Sequence, residues 1–370
     1  GGNRTQPGPF SPANEFGQVR RFDKEEAIGQ KEFPVWFDLS CDEAQCTKLA
    51  DYIAQEKPYP IKAVFAMGLN HRMWPQPEYL KSSLEKLDFY VNAELFMSES
   101  SNAADLVLPA CTSYEREQVH VGMGGRFFFS NQAIEPVGES RNDIEIVMEV
   151  YRRMKLRDHT ICDEVLEGGY EAYMEHILEP SGLTLKELKN HPEGMMGKKL
   201  FPPEVKTYEN EPFHTPSGKV EFQSLVLERY KDSHGYEGLP VYHDYRDNEE
   251  IDRQKYPLIL NTGSRKPQLF HSRLYRMPWL QNIEAVPMVE IHPKDGEAVG
   301  VADGENVRVV SPSGEITGTA VYNVQGNPGV VYIYHGNPKG DANELIGKDY
   351  LDPISGFPGF KGYFCRVERA

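Results

Sequence analysis

The sequence predicts an α/β protein in which a parallel sheet with helices on both faces precedes a compact, closed β-barrel. Three observations carry this expectation. Between residues 60 and 109, apolar runs alternate with helical patterns as strand, helix, strand, helix, strand, an order that packs as parallel strands under covering helices. After residue 256, about six short runs rich in Val, Ile and Tyr are separated by glycine turns, and closure into a barrel removes the exposed edges such strands would leave. Between these regions, 231–255 is dense in Asp, Glu, Lys and Tyr and reads as a linker. The expected organisation is an irregular arm over 1–34, a sheet domain over 35–155, a mixed helical segment with short strands over 156–230, the linker, and a barrel over 256–370.

Composition narrows the function. The chain has 370 residues, 39% hydrophobic and 26% charged, which suits a globular protein of two or three units. Its net charge of −16 leaves no basic excess for a nucleic-acid polymer, although a local anion site is compatible with it. No apolar run approaches a membrane span. The five cysteines, Cys41, Cys46, Cys111, Cys162 and Cys365, form no C-x-x-C pair and no zinc-like spacing, so they read as small buried hydrophobes.

Taken in order, Ser40 with Glu43 fits a capping box, and Ala44, Cys46, Leu49, Ala50 and Ile53 share one face of a helix running to about Gln55. Residues 60–67 read as a buried strand ending at Gly68-Leu69-Asn70. A helix begins near Pro75 or Pro77, where proline costs no helical hydrogen bond, and presents Leu80, Leu84 and Leu87. Strand 89–95 leads to Ser98, a good helix start, and 106–109 supplies a third strand. Ligands bind at the carboxyl ends of such strands, which singles out Gly68, Asn70 and Glu94. Ser140 with Asp143 is a second capping box before a long amphipathic helix, and Thr184 with Glu187 opens a shorter one. Residues 213–222 read as a Pro-Ser-Gly turn followed by an alternating strand. Barrel strands are expected over 257–261, 288–292, 306–311, 315–322, 329–334 and 363–368, with one helix over 294–299.

The sharpest local chemistry lies in 256–272, YPLILNTGSRKPQLFHS. An apolar strand stops at Thr262-Gly263 and opens into Ser264, Arg265, Lys266, His271 and Ser272. Freed backbone N–H groups, a glycine, hydroxyls and a guanidinium suit an anionic group. On local chemistry alone, a solvated turn is the commoner explanation of such a loop.

Three stretches in sequence resemble the molybdopterin oxidoreductases of the dimethyl sulfoxide reductase type. Glu94-Leu-Phe-Met-Ser-Glu-Ser100, followed by Ala104-Asp-Leu-Val-Leu-Pro-Ala110 and Glu115, is similar to a "D-x-F-x-T-E-T … A-D-V-V-L-P-A … E" signature. Thr215-Pro-Ser-Gly-Lys-Val-Glu-Phe222 is similar to "T-P-S-G-K-I-E". Leu260-Asn-Thr-Gly-Ser-Arg265, His271-Ser272, Gly300 to Val307, Asn343 and Asp352-Pro-Ile-Ser-Gly-Phe-Pro-Gly-Phe-Lys361 resemble the family's dinucleotide-binding barrel. The likeness covers nearly the whole chain after about Val35.

The resemblance implies half of a Rossmann-like parallel-sheet domain followed by a C-terminal double-psi β-barrel. It further implies molybdopterin guanine dinucleotide, with molybdenum or tungsten, as cofactor. The metal ligand and the iron–sulfur cluster of many members would lie upstream, so the chain reads as the C-terminal portion of a catalytic subunit. Its implied partners are the remaining N-terminal half and an iron–sulfur electron-transfer subunit. No metal ligand or catalytic residue is assigned to this chain. By position, Thr262, Gly263, Ser264 and Arg265 would hold the pterin or pyrophosphate, with His271 and Ser272 nearby and Asn343 and Lys361 adding polar contacts. Gly68 and Asn70 match a "G-x-N-P" turn, in which His71 replaces the proline. Glu94 stands for a shorter Asp that accepts from a guanine edge. The implied activity of the parent is two-electron oxygen-atom or sulfur-compound chemistry. The alternatives are a non-redox hydratase of the same family and an inactive nucleotide-binding or scaffold module.

Overall fold

The computed structural model describes residues 27–39, 44–122, 126–154, 163–197, 212–213, 215–243 and 251–370. It contains a three-stranded parallel sheet, a three-stranded antiparallel sheet and a closed six-stranded barrel.

Helix α1 spans Pro34–Leu39 and α2 spans Leu49–Gln55, the latter ending where Glu56 turns left-handed at φ 54°. Ala44 and Cys46, expected on this helix, precede it in irregular chain, and the Ser40 capping box lies outside the described residues. Strand β1 (Ala63–Met67), helix α3 (Pro77–Leu84, with proline at its first turn), strand β2 (Phe89–Glu94), helix α4 (Glu99–Asn102) and strand β3 (Leu106–Pro109) follow. The strands pair in parallel in the order β1-β2-β3. Leu49, Ile53, Leu80 and Leu84 from α2 and α3 close one core with Ala66 and Tyr90 of the sheet. Ser98 caps α4 as expected, its hydroxyl accepting from the Ser101 amide at 3.1 Å.

Strands β4 (Gln118–Val121) and β5 (Arg126–Ser130) lie where the sequence reading places none. With the two-residue β6 (Met195–Met196) they form the antiparallel sheet. Phe127 and Phe129 pack there on Met174, Leu178, Leu185 and Leu188, from α6 (Asp163–Leu178) and α7 (Leu185–Lys189). Helix α5 spans Asp143–Arg153, but its cap is Asn142, whose Oδ1 accepts from the Ile144 amide at 3.0 Å, so the Ser140–Asp143 box does not form. Asn142 immediately precedes the first helical residue and so reaches the free amides, while Ser140 instead faces the Cys111 thiol. The Thr184–Glu187 box is present in both directions. The strand expected after the Pro-Ser-Gly turn is absent: Thr215 Oγ1 donates to the Lys219 carbonyl at 2.7 Å and Phe222 is 87% exposed. With no partner ladder, local turns satisfy that backbone. Tyr236, in the stretch read as linker, is buried and donates to the Pro353 carbonyl.

The C-terminal strands are β7 (Leu258–Asn261), β8 (Met288–Ile291), β9 (Asn306–Val310), β10 (Glu315–Tyr322), β11 (Val330–Ile333) and β12 (Lys361–Arg369). They close in the order β10-β8-β11-β7-β12-β9, mixing two parallel with four antiparallel pairings. This is the double-psi barrel, and Leu260, Val289, Ile291, Val307, Val331 and Phe364 fill it. No helix among the described residues is long and apolar enough to cross a membrane.

Candidate functional site

The carboxyl edge of the parallel sheet faces the loop that follows β7, and the seam between them is a cleft. Because β1 and β2 are parallel, their ends arrive together, and the Gly68 amide donates to the Ala93 carbonyl at 2.7 Å. Gly68 has φ 63°, and a Cβ there would lie 2.9 Å from an Arg273 guanidinium nitrogen. Glycine thus lets Arg273 donate to the Gly68 carbonyl at 3.1 Å while lying 3.6 Å from Glu94. Glu94 is buried, and its Oε1 accepts from the Leu95 amide.

Asn70 ties the sheet edge to the barrel loop. Its Nδ2 donates to the His271 carbonyl at 2.6 Å and to Ser272 Oγ at 3.1 Å. The loop needs that hold, because Phe270, His271 and Ser272 all have positive φ, at 42°, 54° and 73°. Three successive non-glycine residues in that region store strain that only surrounding contacts can hold.

A histidine pair continues inward. His335 Nδ1 lies 3.2 Å from the Thr262 carbonyl, which can only accept, so His335 carries its proton there and its Nε2 accepts from His271 Nδ1 at 3.0 Å. His271 Nε2 is left as an acceptor facing Arg265. Burial, with Arg265, His335 and Arg273 close by, brings the His271 imidazole down to about 4, consistent with an uncharged ring.

The expected site residues therefore separate into three groups. Gly68, Asn70, Glu94, His271 and Ser272 converge on the seam. Gly263, Ser264, Arg265 and Lys361 lie on the barrel beside it, where a Cβ on Gly263 would meet the Lys361 side chain at 2.8 Å and Arg265 faces His271. Thr262 and Asn343 point elsewhere. The Thr262 hydroxyl is fully buried against the Phe360 carbonyl, and the Asn343 side chain donates to the Arg72 carbonyl at 2.7 Å while its backbone carbonyl accepts from the Gln76 amide. Asn343 Oδ1 is buried without a partner.

Further residues of the seam escape a reading of the sequence. Arg273 and Arg276 follow Ser272 closely, and their charge beside an anion-suited loop is the signal that could have found them. His335 gives no local signal. Arg72 is buried in the seam, where its Nε donates to Glu99 at 2.7 Å and its Nη1 to the buried Asp341 at 3.3 Å. Burial disfavours its charge, but Asp341 and Glu99 outweigh that and raise the guanidinium's pKa. Among the described residues, His71, Glu78 and Glu99 are close enough to hold a metal ion, but Arg72 already pairs with both carboxylates.

A cavity of about 160 Å³ opens on the sheet side of the seam, lined by Asn70, His71, Glu94, Ser100, Arg273 and Arg276 among others. Arg273 and Arg276 bring cations to this cavity and Glu94 a carboxylate acceptor, while Arg265, Lys266 and Lys361 are further cations of the barrel. The two close glycine approaches and this donor set fit a polyanionic dinucleotide.

Sheet edge and barrel loop together define a protein of the α/β-plus-barrel class with a cleft along its seam. Comparison with known proteins agrees. Residues 24–153 match the molybdopterin oxidoreductase family model, and residues 258–364 match the molydopterin dinucleotide binding domain. The chain belongs to the molybdopterin oxidoreductases of the dimethyl sulfoxide reductase type. It is 30% identical to the acetylene hydratase of Syntrophotalea acetylenica, over 86% of this chain and 45% of that protein. It is 25% identical to the dopamine dehydroxylase of Eggerthella lenta, over 98% of this chain and 43% of that protein. The solved acetylene hydratase from Pelobacter acetylenicus superposes with a TM-score of 0.76 at 25% identity, covering 97% of this chain and 52% of that one. The chain thus spans less than half the length of these curated relatives.

Proposed function

We propose that the seam cleft holds one molybdopterin guanine dinucleotide of a molybdenum or tungsten oxidoreductase. The observation that carries this reading is the convergence of the two family-matched regions on one cleft, pinned by Asn70 to His271 and Ser272. The bound cofactor would supply the two-electron chemistry. The chain's own residues bind and orient it. Gly263, Ser264 and Arg265, with Lys361, take the pyrophosphate side, and Glu94 accepts from the base. His271, kept uncharged, fixes the Arg265 guanidinium without adding a competing cation. Sequence equivalent to the unmatched part of the relatives would supply the other half of the cradle, the metal ligand and any cluster cysteines.

A second reading, a non-redox hydratase, is favoured by the likeness to acetylene hydratase in both sequence and structure. The full-length parent protein, purified from a host supplied with molybdate or tungstate, should contain metal and pterin. Arg265→Ala should weaken retention of the pterin nucleotide by about tenfold, the scale of one charge-assisted hydrogen bond. Unchanged pterin content would remove Arg265 from the cradle, and absence of both metal and pterin from the wild type would end the reading. Reduction of oxyanions or dehydroxylation by a reduced dye, against acetylene hydration, separates the two reactions.

A further inference from the structure

His71 is 1% exposed, and its surroundings fix which nitrogen carries the proton. Its backbone amide donates to Ser100 Oγ at 3.1 Å, and its ring Nδ1 lies 2.7 Å from the same oxygen. Were Nδ1 protonated, the Ser100 hydroxyl would accept twice and its own proton would need another acceptor in a residue 2% exposed. With the hydroxyl donating to Nδ1, both groups are satisfied and the imidazole proton sits on Nε2. Nε2 is buried and has no partner. The nearest carboxylate, Glu99, is 3.9 Å away, beyond hydrogen-bond distance, and is already paired with Arg72.

His71 lines the same cavity as Glu94. One cavity is thus lined by a carboxylate acceptor and by a histidine whose buried Nε2–H has no partner. We propose that His71 is a specificity-determining residue whose Nε2–H donates to the 6-oxo group of a guanine base while Glu94 accepts from the base's N–H groups. This rests on the nucleotide reading above. Burial, with Arg72 and Lys81 nearby, brings the ring down to about 3, which keeps it a single-proton donor. Proline, which the resembled motif carries at this position, has no side-chain donor, so the contact would be a feature of this chain.

The test is calorimetric titration of GMP, IMP and AMP into the purified protein freed of cofactor. GMP and IMP carry the 6-oxo acceptor, whereas AMP presents a 6-amino donor against the imidazole N–H. The wild type should favour GMP and IMP over AMP. His71→Phe should weaken GMP and IMP by about tenfold and leave AMP unchanged. His71→Gln, with an amide N–H near the same place, should keep the preference. Ser100→Ala should erode it, and carries the test if His71→Phe does not fold. Equal loss for all three nucleotides, or no loss, overturns the role of His71 and leaves the nucleotide site standing. A wild type that binds none of them at millimolar concentration overturns both.

Discussion

The barrel and the parallel sheet are built from similar apolar strands but solve different problems. In the barrel, β7, β8 and β11 each alternate buried and partly buried residues, and every strand has two neighbours. In the sheet, β1 buries only Ala66, while Phe65 and Met67 are 42% and 43% exposed. A closed barrel supplies its own inner face, whereas a three-stranded sheet covered by α2 and α3 leaves apolar surface open. The difference teaches that the sheet's position depends on the seam, and the candidate site lies on that seam.

Cutting the seam should have the largest effect. Arg72→Met leaves the buried Asp341 without its cation, and the expected loss is about 3–5 kcal/mol of unfolding free energy. Denaturant unfolding followed by separate probes in the sheet and barrel should show the two transitions drifting apart; coincident transitions would mean that the seam does not support the sheet. Next, Leu260→Ala, at 0% exposure in the barrel core, should cost about 2–5 kcal/mol, and Phe65→Ala on the open sheet face should cost less than about 1 kcal/mol. Similar losses at the two positions would contradict the comparison.

A separate effect is expected on acid stability. The folded-state value of His71, about 3, lies below its ordinary 6.5. Its contribution is therefore fully present above about pH 6.5 and lost as pH falls toward 3, because the unfolded chain takes up the proton first. His71→Phe should flatten that part of the stability profile, measured by denaturant midpoints from about pH 7 to about pH 4, and an unchanged slope would place the acid sensitivity elsewhere.

Much of the fold is legible in the sequence because periodicity is local. The strands around Val64, Val91 and Val107 and all six barrel strands lie within a few residues of where their patterns predict them. β4 and β5 escape that reading although Arg126 to Ser130 carries three phenylalanines: they pair with each other over only four residues, and the further partner of β5, β6, is two residues long and distant in sequence. The candidate site is legible where a motif marks it, at Gly68, Asn70, Glu94, His271 and Ser272. It is not legible at Arg72, Asp341 and His335, whose roles come from contacts between residues far apart in the chain.

By itself, the sequence determined the order of elements in the parallel sheet and the barrel, and the family, because each depends on neighbouring residues and their spacing. Only the tertiary structure decided which of those residues face the cleft. It turned the Thr262 hydroxyl inward, committed the Asn343 amide to Arg72 and left the His71 Nε2 proton unclaimed. Side-chain direction and hydrogen-bond satisfaction depend on partners that only packing brings within reach.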